Sequence, residues 1–217
     1  MKINLSERYL PQVAIVAHGS LSDTKMVSQL IEDAPHLIIC DGALARFREI
    51  SSRIPDIVIG DGDSVSSADL VAMGLKLTRV ADQETNDLTK AVRYALSKGW
   101  REIGILGATG KREDHTLGNI ALLAEYFQMG AEVRMISEYG VMLPFEGLLQ
   151  MEVTKGQQLS FFALSNAPMS ARGVAYPFEN RSFGTLWEAT LNYASNEVVE
   201  VETGGPALVY IAKEVRK

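Results

Sequence analysis

Cysteine is almost absent from this chain of 217 residues, and long hydrophobic runs are absent altogether. The single cysteine, Cys40, excludes an intramolecular disulfide framework, and its position at the end of an apolar run favours an inert core thiol. No stretch approaches the roughly 18 consecutive apolar residues that a membrane span requires. The N-terminal sequence MKINLSERYLPQ also lacks the apolar segment of a signal peptide. We therefore expect a soluble, cytoplasmic protein that has no membrane partner.

A surplus of positive charge is lacking too, since 21 Lys and Arg residues face 27 Asp and Glu residues and the net charge is −6. This balance argues against a broad nucleic-acid-binding surface, although it leaves room for a small basic pocket. The hydrophobic fraction of 47% and the charged fraction of 22% are typical of a globular protein. The length suffices for one large domain or for two small ones.

The first 138 or so residues alternate short apolar runs with segments of helical periodicity. The apolar runs lie at 13–16, 37–39, 57–59, 77–80, 103–106 and 133–136. Two helical stripes lie between them, one formed by Leu88, Ala91, Val92 and Ala95 and the other by Leu117, Ile120, Ala121 and Ala124. This alternation predicts an α/β domain over residues 1–138, with a mostly parallel sheet flanked by helices.

After about residue 140, β-rich runs separated by turn signals replace the helical periodicity. The runs lie at 159–164, 186–191, 198–201 and 207–211, and the turn signals at Gly156, 166–168 and 203–206. They predict an antiparallel β domain over residues 139–217, built as a sandwich or a partial barrel. Because Trp187 lies within an apolar run, we expect it in the core of this domain.

Aspartates follow successive predicted strands of the α/β domain, at the edge where open sheets of this class bind ligands. They are Asp41 after 37–40, Asp61 and Asp63 after 57–60, Asp82 and Asp87 after 77–80, and Asp114 after 103–106. Carboxylate oxygens suit Mg²⁺, which takes one or two carboxylates together with water and the phosphate oxygens of a substrate. The aspartates therefore predict a magnesium site that holds phosphates. For any single aspartate the alternative is structural, either a glycine-rich turn or a helix cap.

The segment GATGKREDH, residues 107–115, follows a predicted strand and precedes a predicted helix. Gly107 and Gly110 allow a close approach of the backbone to an anion, and Lys111 and Arg112 supply a basic pair beside the acidic edge. The spacing does not match a Walker A loop, and a solvated basic turn is the alternative. His115 is a candidate site residue with helix capping as its rival, whereas the spacing supports no catalytic triad.

Six motifs in this order resemble the thiamine pyrophosphokinase family. They are DGALAR (41–46), PDIVIGDGDS (55–64), DQETND (82–87), GKREDHTLGN (110–119), GVAYPF (173–178) and ASNE (194–197). The resemblance implies an N-terminal α/β domain, a C-terminal β-sandwich and a homodimer with active sites at the subunit interface. It also implies transfer of the diphosphoryl group of ATP to the hydroxyl of thiamine, with Mg²⁺, to give thiamine diphosphate and AMP.

The resemblance also implies roles for individual residues. Asp61, Asp63, Asp87 and Asp114 match the catalytic positions, and the first three of them match the Mg²⁺ ligands. The positions that match ATP-binding residues are Asp41, Arg46, Asn86, Lys111, Arg112 and His115. The positions that match thiamine-binding residues are Gln83, Tyr176, Ser195 and Asn196, the last three being contributed by the partner subunit.

The sequence departs from the family pattern at several positions, and two other functions remain open. Ala43 and Ala45 replace a glycine and an asparagine, Glu84 replaces an aspartate, and Tyr176 stands where tryptophan is usual. These changes bear on fine substrate preference and turnover more than on the reaction itself. A nucleotide-sugar transferase would also use carboxylates around a divalent ion, and a catalytically silent binding protein is conceivable. The sequence does not identify a general base.

Overall fold

The computed structural model of the chain describes residues 1–4, 7–22, 24–62, 67–72, 74–75, 77–79 and 84–216. The strands are β1 (Lys2–Asn4), β2 (Val13–Val16), β3 (His36–Cys40), β4 (Ile57–Gly60), β5 (Leu77–Arg79), β6 (Glu102–Leu106), β7 (Glu132–Ile136), β8 (Gly140–Glu152), β9 (Gln157–Ala163), β10 (Met169–Arg172), β11 (Phe178–Arg181), β12 (Asn192–Tyr193) and β13 (Val198–Val215). The helices are α1 (Lys25–Asp33), α2 (Leu44–Ile50), α3 (Ser67–Ala72), α4 (Asp87–Ser97) and α5 (Glu113–Gln128), and a 3₁₀ turn spans Asp41–Ala43. Within these described residues, no helix is long and apolar enough to cross a membrane.

The chain forms two compact units, one of residues Leu10–Glu138 and the other of Met1–Tyr9 together with Tyr139–Lys217. The predicted N-terminal domain, residues 1–138, includes residues 1–9, which lie instead in the unit of residues 139–217. β1 pairs in parallel with β8, and the ammonium group of Met1 donates a hydrogen bond to the carbonyl of Leu148 at 2.7 Å. The first residues therefore belong to the C-terminal unit.

The unit of residues 10–138 contains a parallel sheet with the strand order β7-β6-β2-β3-β4-β5. Every residue of β2 is fully buried, as expected for a central strand that is covered on both faces. The α4 stripe at 88, 91, 92 and 95 is buried, which confirms that prediction. The predicted α/β fold class is confirmed.

The strand order reverses at β2, which fixes where a ligand can bind. From β2 the chain proceeds through β3, β4 and β5 on one side and then places β6 on the other side. The loops that leave β2 and β6 therefore run in opposite directions and open a crevice between them. Three backbone hydrogen bonds join the bases of these loops: Ala17 N–H to Leu106 O at 2.8 Å, Gly19 N–H to Gly107 O at 2.5 Å and Ser20 N–H to Thr109 O at 2.7 Å.

The C-terminal unit is built on two long strands, β8 and β13, which pair antiparallel. β9 and β10 also pair antiparallel with β13, so the predicted antiparallel region is confirmed. The core of this unit includes Phe145, Leu149, Phe161 and Val199. The predicted turn at 203–206 is wrong because this segment lies inside β13, where the pairing register with β8 shifts between Thr203 and Ala207.

The apolar run at 186–191 and the predicted apolar stripe of α5 are both more exposed than the sequence predicts. The run at 186–191 forms a turn rather than a strand, and Trp187 is 72% exposed, so both expectations for it are wrong. The turn forms because the Glu188 carboxylate accepts hydrogen bonds from the backbone N–H groups of Gly184 and Thr185 at 2.7 and 2.8 Å. On α5, Leu117 is exposed, and the buried residues are Leu123 and Tyr126 instead of the predicted stripe.

Candidate active site

A cleft of about 470 Å³ lies at the carboxyl ends of the parallel strands, where the strand order reverses. Loops after β2, β3, β4 and β6 line the cleft together with the first turns of α4 and α5. The ionisable side chains among its lining residues include His18, Asp41, Asp61, Asp87, Lys111, Arg112 and His115. Carboxylates and cations from distant parts of the sequence therefore meet in one cavity.

Asp41 is a buried carboxylate at the end of β3, and it is only 3% exposed. Its two oxygens accept hydrogen bonds from the backbone N–H groups of Gly42, at 2.5 Å, and Gly62, at 3.0 Å. Burial raises the pKa of Asp41, and these two hydrogen bonds oppose the rise. A β-carbon at Gly60 would overlap the Asp41 carboxylate, so glycine is required there.

Asn86 and Asp87 begin α4 at the cleft. The side chain of Asn86 caps the helix, because its amide oxygen accepts a hydrogen bond from Thr89 N–H at 2.8 Å. Asp87 occupies the first turn, where the helix dipole favours a negative charge. Its carboxylate accepts a hydrogen bond from Lys90 Nζ at 3.0 Å.

The glycine-rich segment between β6 and α5 contains two successive residues with left-handed backbone geometry. The φ angle is 76° at Gly110 and 61° at Lys111. Glycine adopts this region without cost, whereas lysine is strained there. Lys111 lines the cleft, and its Nζ donates a hydrogen bond to the carbonyl of His18 at 3.2 Å.

Arg112 and Asp114 form an exposed bidentate ion pair. Arg112 Nε donates to Asp114 Oδ1 at 3.1 Å, and Nη2 donates to Oδ2 at 2.6 Å. The hydrogen bond from Arg112 lowers the pKa of Asp114 to about 2. Arg112 lines the cleft but Asp114 is not among its lining residues, so in this structure Asp114 orients the guanidinium.

The two histidines of the cleft differ in their surroundings. Partial burial and the nearby Lys111 ammonium lower the pKa of His18, which favours the neutral imidazole. The ring lies against Gly42, where a β-carbon would overlap it. His115 lines the cleft in the first turn of α5, and its backbone N–H donates to Asp114 Oδ1 at 2.9 Å. Helix capping by the His115 side chain is not observed.

Some predicted site residues do not meet in the cleft. Arg46 is not among the lining residues, because its guanidinium donates to the carbonyl of Leu21 at 3.3 Å and to the carboxylate of Glu49 at 2.6 Å. Asp63 and Gln83 lie outside the described residues. Among the described residues, no group of three or more acidic, histidine or cysteine side chains is arranged to hold a metal ion.

Asn119 lines the cleft but is missing from the sequence-based site. Asn86 Nδ2 donates to Asn119 Oδ1 at 3.1 Å, and Asn119 Nδ2 donates to Ala108 O at 2.8 Å. This amide therefore connects the start of α4 to the loop after β6. Its position four residues after His115, on the same face of a predicted helix, was the available signal.

The C-terminal unit brings Tyr176, Ser195 and Asn196 into one region. The backbone N–H groups of Ser195 and Asn196 donate to the carbonyl of Gly173 at 2.8 and 3.2 Å. The side chain of Asn192 accepts from Tyr176 N–H at 3.1 Å and donates to Tyr176 O at 2.9 Å. Asn192 is 4% exposed, so it holds the backbone of Tyr176 from within the fold while that tyrosine remains exposed.

Two family models match consecutive parts of the chain. Residues 27–135 match the model "Thiamin pyrophosphokinase, catalytic domain", and residues 140–210 match "Thiamin pyrophosphokinase, substrate-binding domain". The chain belongs to the thiamin pyrophosphokinase family. The cleft described above lies within the unit that contains the catalytic-domain match.

Similar proteins agree with this family. A curated thiamine pyrophosphokinase from Bacillus subtilis is 30% identical over 136 residues, which are 58% of this chain and 63% of that relative. The match thus spans less than two thirds of the length of the relative. A solved structure of thiamine pyrophosphokinase from Bacillus subtilis superposes with a TM-score of 0.76, at 23% identity over 94% of this chain and 99% of that one. The yeast enzyme superposes with a TM-score of 0.81, at 13% identity over 97% of this chain and 90% of that one.

Proposed function

We propose that this protein is a thiamine diphosphokinase, which transfers the diphosphoryl group of ATP to the hydroxyl of thiamine and releases AMP. The observation that carries the proposal is a cleft lined by three carboxylates and two cations, in a chain of the thiamin pyrophosphokinase family; these residues are Asp41, Asp61, Asp87, Lys111 and Arg112. Opposed carboxylates and cations suit a triphosphate that is bound together with a divalent ion.

The cleft residues divide the work of holding the nucleotide. Lys111 and Arg112 would bind the polyphosphate, the arginine through the guanidinium N–H groups that are not bonded to Asp114. His115 and Asn86 line the same cleft and complete the ATP site. The side chain of Arg46 is engaged elsewhere, so we assign it no contact with the nucleotide.

Asp61 and Asp87 fit the requirement for Mg²⁺, which takes one or two carboxylates and completes its shell with water and phosphate oxygens. Both line the cleft, and Asp63 is the further candidate ligand from the sequence. When bound, Mg²⁺ would offset negative charge on the phosphoryl oxygens. We assign no general base, because a loose phosphoryl-transfer transition state makes little demand for one.

The thiamine site would draw on the C-terminal unit, in which Tyr176, Ser195 and Asn196 lie together. Thiamine is a cationic aromatic molecule, and the exposed ring of Tyr176 offers a face for a cation–π contact. Ser195 and Asn196 would supply hydrogen bonds, and Gln83 is the further candidate from the sequence.

The proposal includes a homodimer whose active sites lie at the subunit interface. Exposed apolar residues of the C-terminal unit support it, namely Leu186, Trp187 and Leu191, which are 54%, 72% and 83% exposed. An equal mixture of Asp61→Asn and Tyr176→Ala subunits, each inactive alone, tests shared sites directly. Random pairing would restore about a quarter of the wild-type sites if each site draws on both subunits. No recovery after subunit exchange would contradict the interface site.

The decisive experiment is a product assay with thiamine, ATP and Mg²⁺. We expect AMP and thiamine diphosphate in equal amounts. ADP with thiamine monophosphate would refute transfer of a diphosphoryl group, and binding without product would identify a silent binding protein. Turnover of a nucleotide sugar with thiamine inert would favour the transferase. Asp61→Asn should reduce turnover by about a hundredfold or more while the protein stays folded, and near-normal turnover would contradict the role of Asp61.

A further inference from the structure

Lys90 is a buried cation on the inner side of α4. Among the described residues, Asp41 and Lys90 are the buried side chains that carry a charge, and Lys90 is 6% exposed. Removing an ammonium group from water costs several kcal/mol unless a partner compensates it. Lys90 is one of the buried residues of α4, which packs against β2, β3 and β4, and it is not among the residues that line the cleft.

The partner of Lys90 is Asp87, a carboxylate that lines the cleft. Lys90 Nζ donates to Asp87 Oδ1 at 3.0 Å, and the Asp87 side chain is 30% exposed. The two residues are three positions apart on α4, so the pair forms within a single helical turn. One oxygen of the Asp87 carboxylate thus accepts a hydrogen bond from the buried Lys90, while Asp87 also lines the cleft.

The charge of Lys90 also reaches the neighbouring strand end. Burial raises the pKa of the Cys40 thiol, the charges of Asp87 and Asp41 raise it further, and Lys90 opposes them. Asp41 itself is close enough to Asp87 and Asp61 for their negative charges to act on it. The cleft therefore gathers three mutually repelling carboxylates, and the buried ammonium of Lys90 bonds to one of them, Asp87.

We propose that Lys90 is a positioning residue, which holds the Asp87 carboxylate in its orientation at the cleft and offsets the negative charge of Asp41, Asp61 and Asp87. The role in turnover rests on the proposed function, whereas the electrostatic role does not. Lys90 contacts no ligand in this scheme and acts through Asp87. A lysine that served only to pack α4 would not change the affinity of the cleft for cations.

The test compares Lys90→Met, which keeps the unbranched side chain and removes the charge, with Lys90→Arg, which keeps the charge. Lys98→Met is the matched control, since Lys98 is an exposed lysine that caps the C-terminus of the same helix. Mn²⁺ alone serves as the probe, and its affinity is measured by titration without nucleotide. We expect Lys90→Met to bind Mn²⁺ at least about threefold more tightly, because a positive charge next to the carboxylates is gone. Lys90→Arg and Lys98→Met should bind it like the wild type.

Turnover supplies the second readout. We expect Lys90→Met to lower kcat about tenfold or more, since Asp87 loses its fixed orientation, and to leave the KM for thiamine within about twofold. If Lys90→Met does not fold, Lys90→Gln replaces it, because the amide N–H still donates to Asp87 without the charge. Equal Mn²⁺ affinity in the wild type and the neutral variant overturns the proposal. A wild-type protein that forms no thiamine diphosphate refutes the proposed function instead, and the Mn²⁺ titration still decides the role of Lys90.

Discussion

Lys111 combines a strained backbone with a charge in the cleft, and substitution separates these two properties. Its φ angle of 61° is a conformation that an L-residue adopts only at a cost. Lys111→Ala removes the ammonium group and keeps the strain, whereas Lys111→Gly removes both. The two variants should therefore bind nucleotide equally and differ in stability.

The magnitudes follow from the geometry. Left-handed backbone costs a residue with a β-carbon about 1–2 kcal/mol, and the greater freedom of glycine in the unfolded chain takes back about 0.5–1 kcal/mol. Lys111→Gly should thus be more stable than Lys111→Ala by roughly 0.5–1 kcal/mol. A charge-assisted hydrogen bond contributes about 1.5–3 kcal/mol, so both variants should bind ATP with Mg²⁺ about 10- to 100-fold more weakly than the wild type.

Urea denaturation measures the stability of these variants, and isothermal titration calorimetry measures ATP affinity. Asn180 provides the matched control, since its φ angle is 47° and it is exposed, outside the cleft. Asn180→Gly should exceed Asn180→Ala in stability by a similar margin, with ATP affinity unchanged in both. Equal stability of Lys111→Gly and Lys111→Ala would refute the strain, and unchanged ATP affinity would refute the phosphate contact.

Three further predictions concern the cleft and the residues that support it. An NMR titration of the carboxyl carbon should give Asp114 a pKa of about 2, because the guanidinium of Arg112 stabilises the charged carboxylate. In Arg112→Met this pKa should return toward its ordinary value. The contribution of the pair to the free energy of unfolding should be present above the ordinary pKa and lost as the pH falls through 2. Gly60→Ala should lower the free energy of unfolding by about 1–3 kcal/mol in urea denaturation, because the added methyl group overlaps the buried carboxylate of Asp41. Gly118→Ala is the control: Gly118 has open space around it on α5, so this change should raise the free energy of unfolding by about 0.5–1 kcal/mol. Asn119→Ala should raise the KM for ATP about tenfold by releasing the loop after β6 from α4, and an unchanged KM would contradict that role.

The parallel sheet was predictable from the sequence because its strands are buried on both faces. Such strands appear in the sequence as continuous apolar runs. The run at 13–16 coincides with β2, and the run at 103–106 lies within β6. The run at 186–191, LWEATL, is also mostly apolar, yet the carboxylate of Glu188 accepts hydrogen bonds from the backbone N–H groups of Gly184 and Thr185 and closes a turn. Composition does not reveal such a local competitor for backbone hydrogen bonds, so the exposure of Trp187 was missed.

The site was predictable where strand ends alone determine position. Asp41 and Asp61 come together because β3 and β4 end at one edge of the sheet, and Asp87 joins them from the first turn of α4. Side chains whose direction depends on packing were not predictable. Arg46 matches a motif but turns to Leu21 and Glu49. The sequence does not distinguish Lys90 from an exposed lysine of a helix, because its burial depends on how α4 packs.

The carboxylates at the cleft differ in how much of each remains for a ligand. Both oxygens of Asp41 accept hydrogen bonds from backbone N–H groups, one in the 3₁₀ turn after β3 and the other in the loop after β4. Asp61 is exposed, and Asp87 is 30% exposed with one oxygen on Lys90. A buried acceptor that joins two loops resists displacement by a ligand, since displacement would leave N–H groups without partners. We therefore infer that Asp41 fixes the loops after β3 and β4, and that Asp61 and Asp87 present their oxygens to the nucleotide-bound cation.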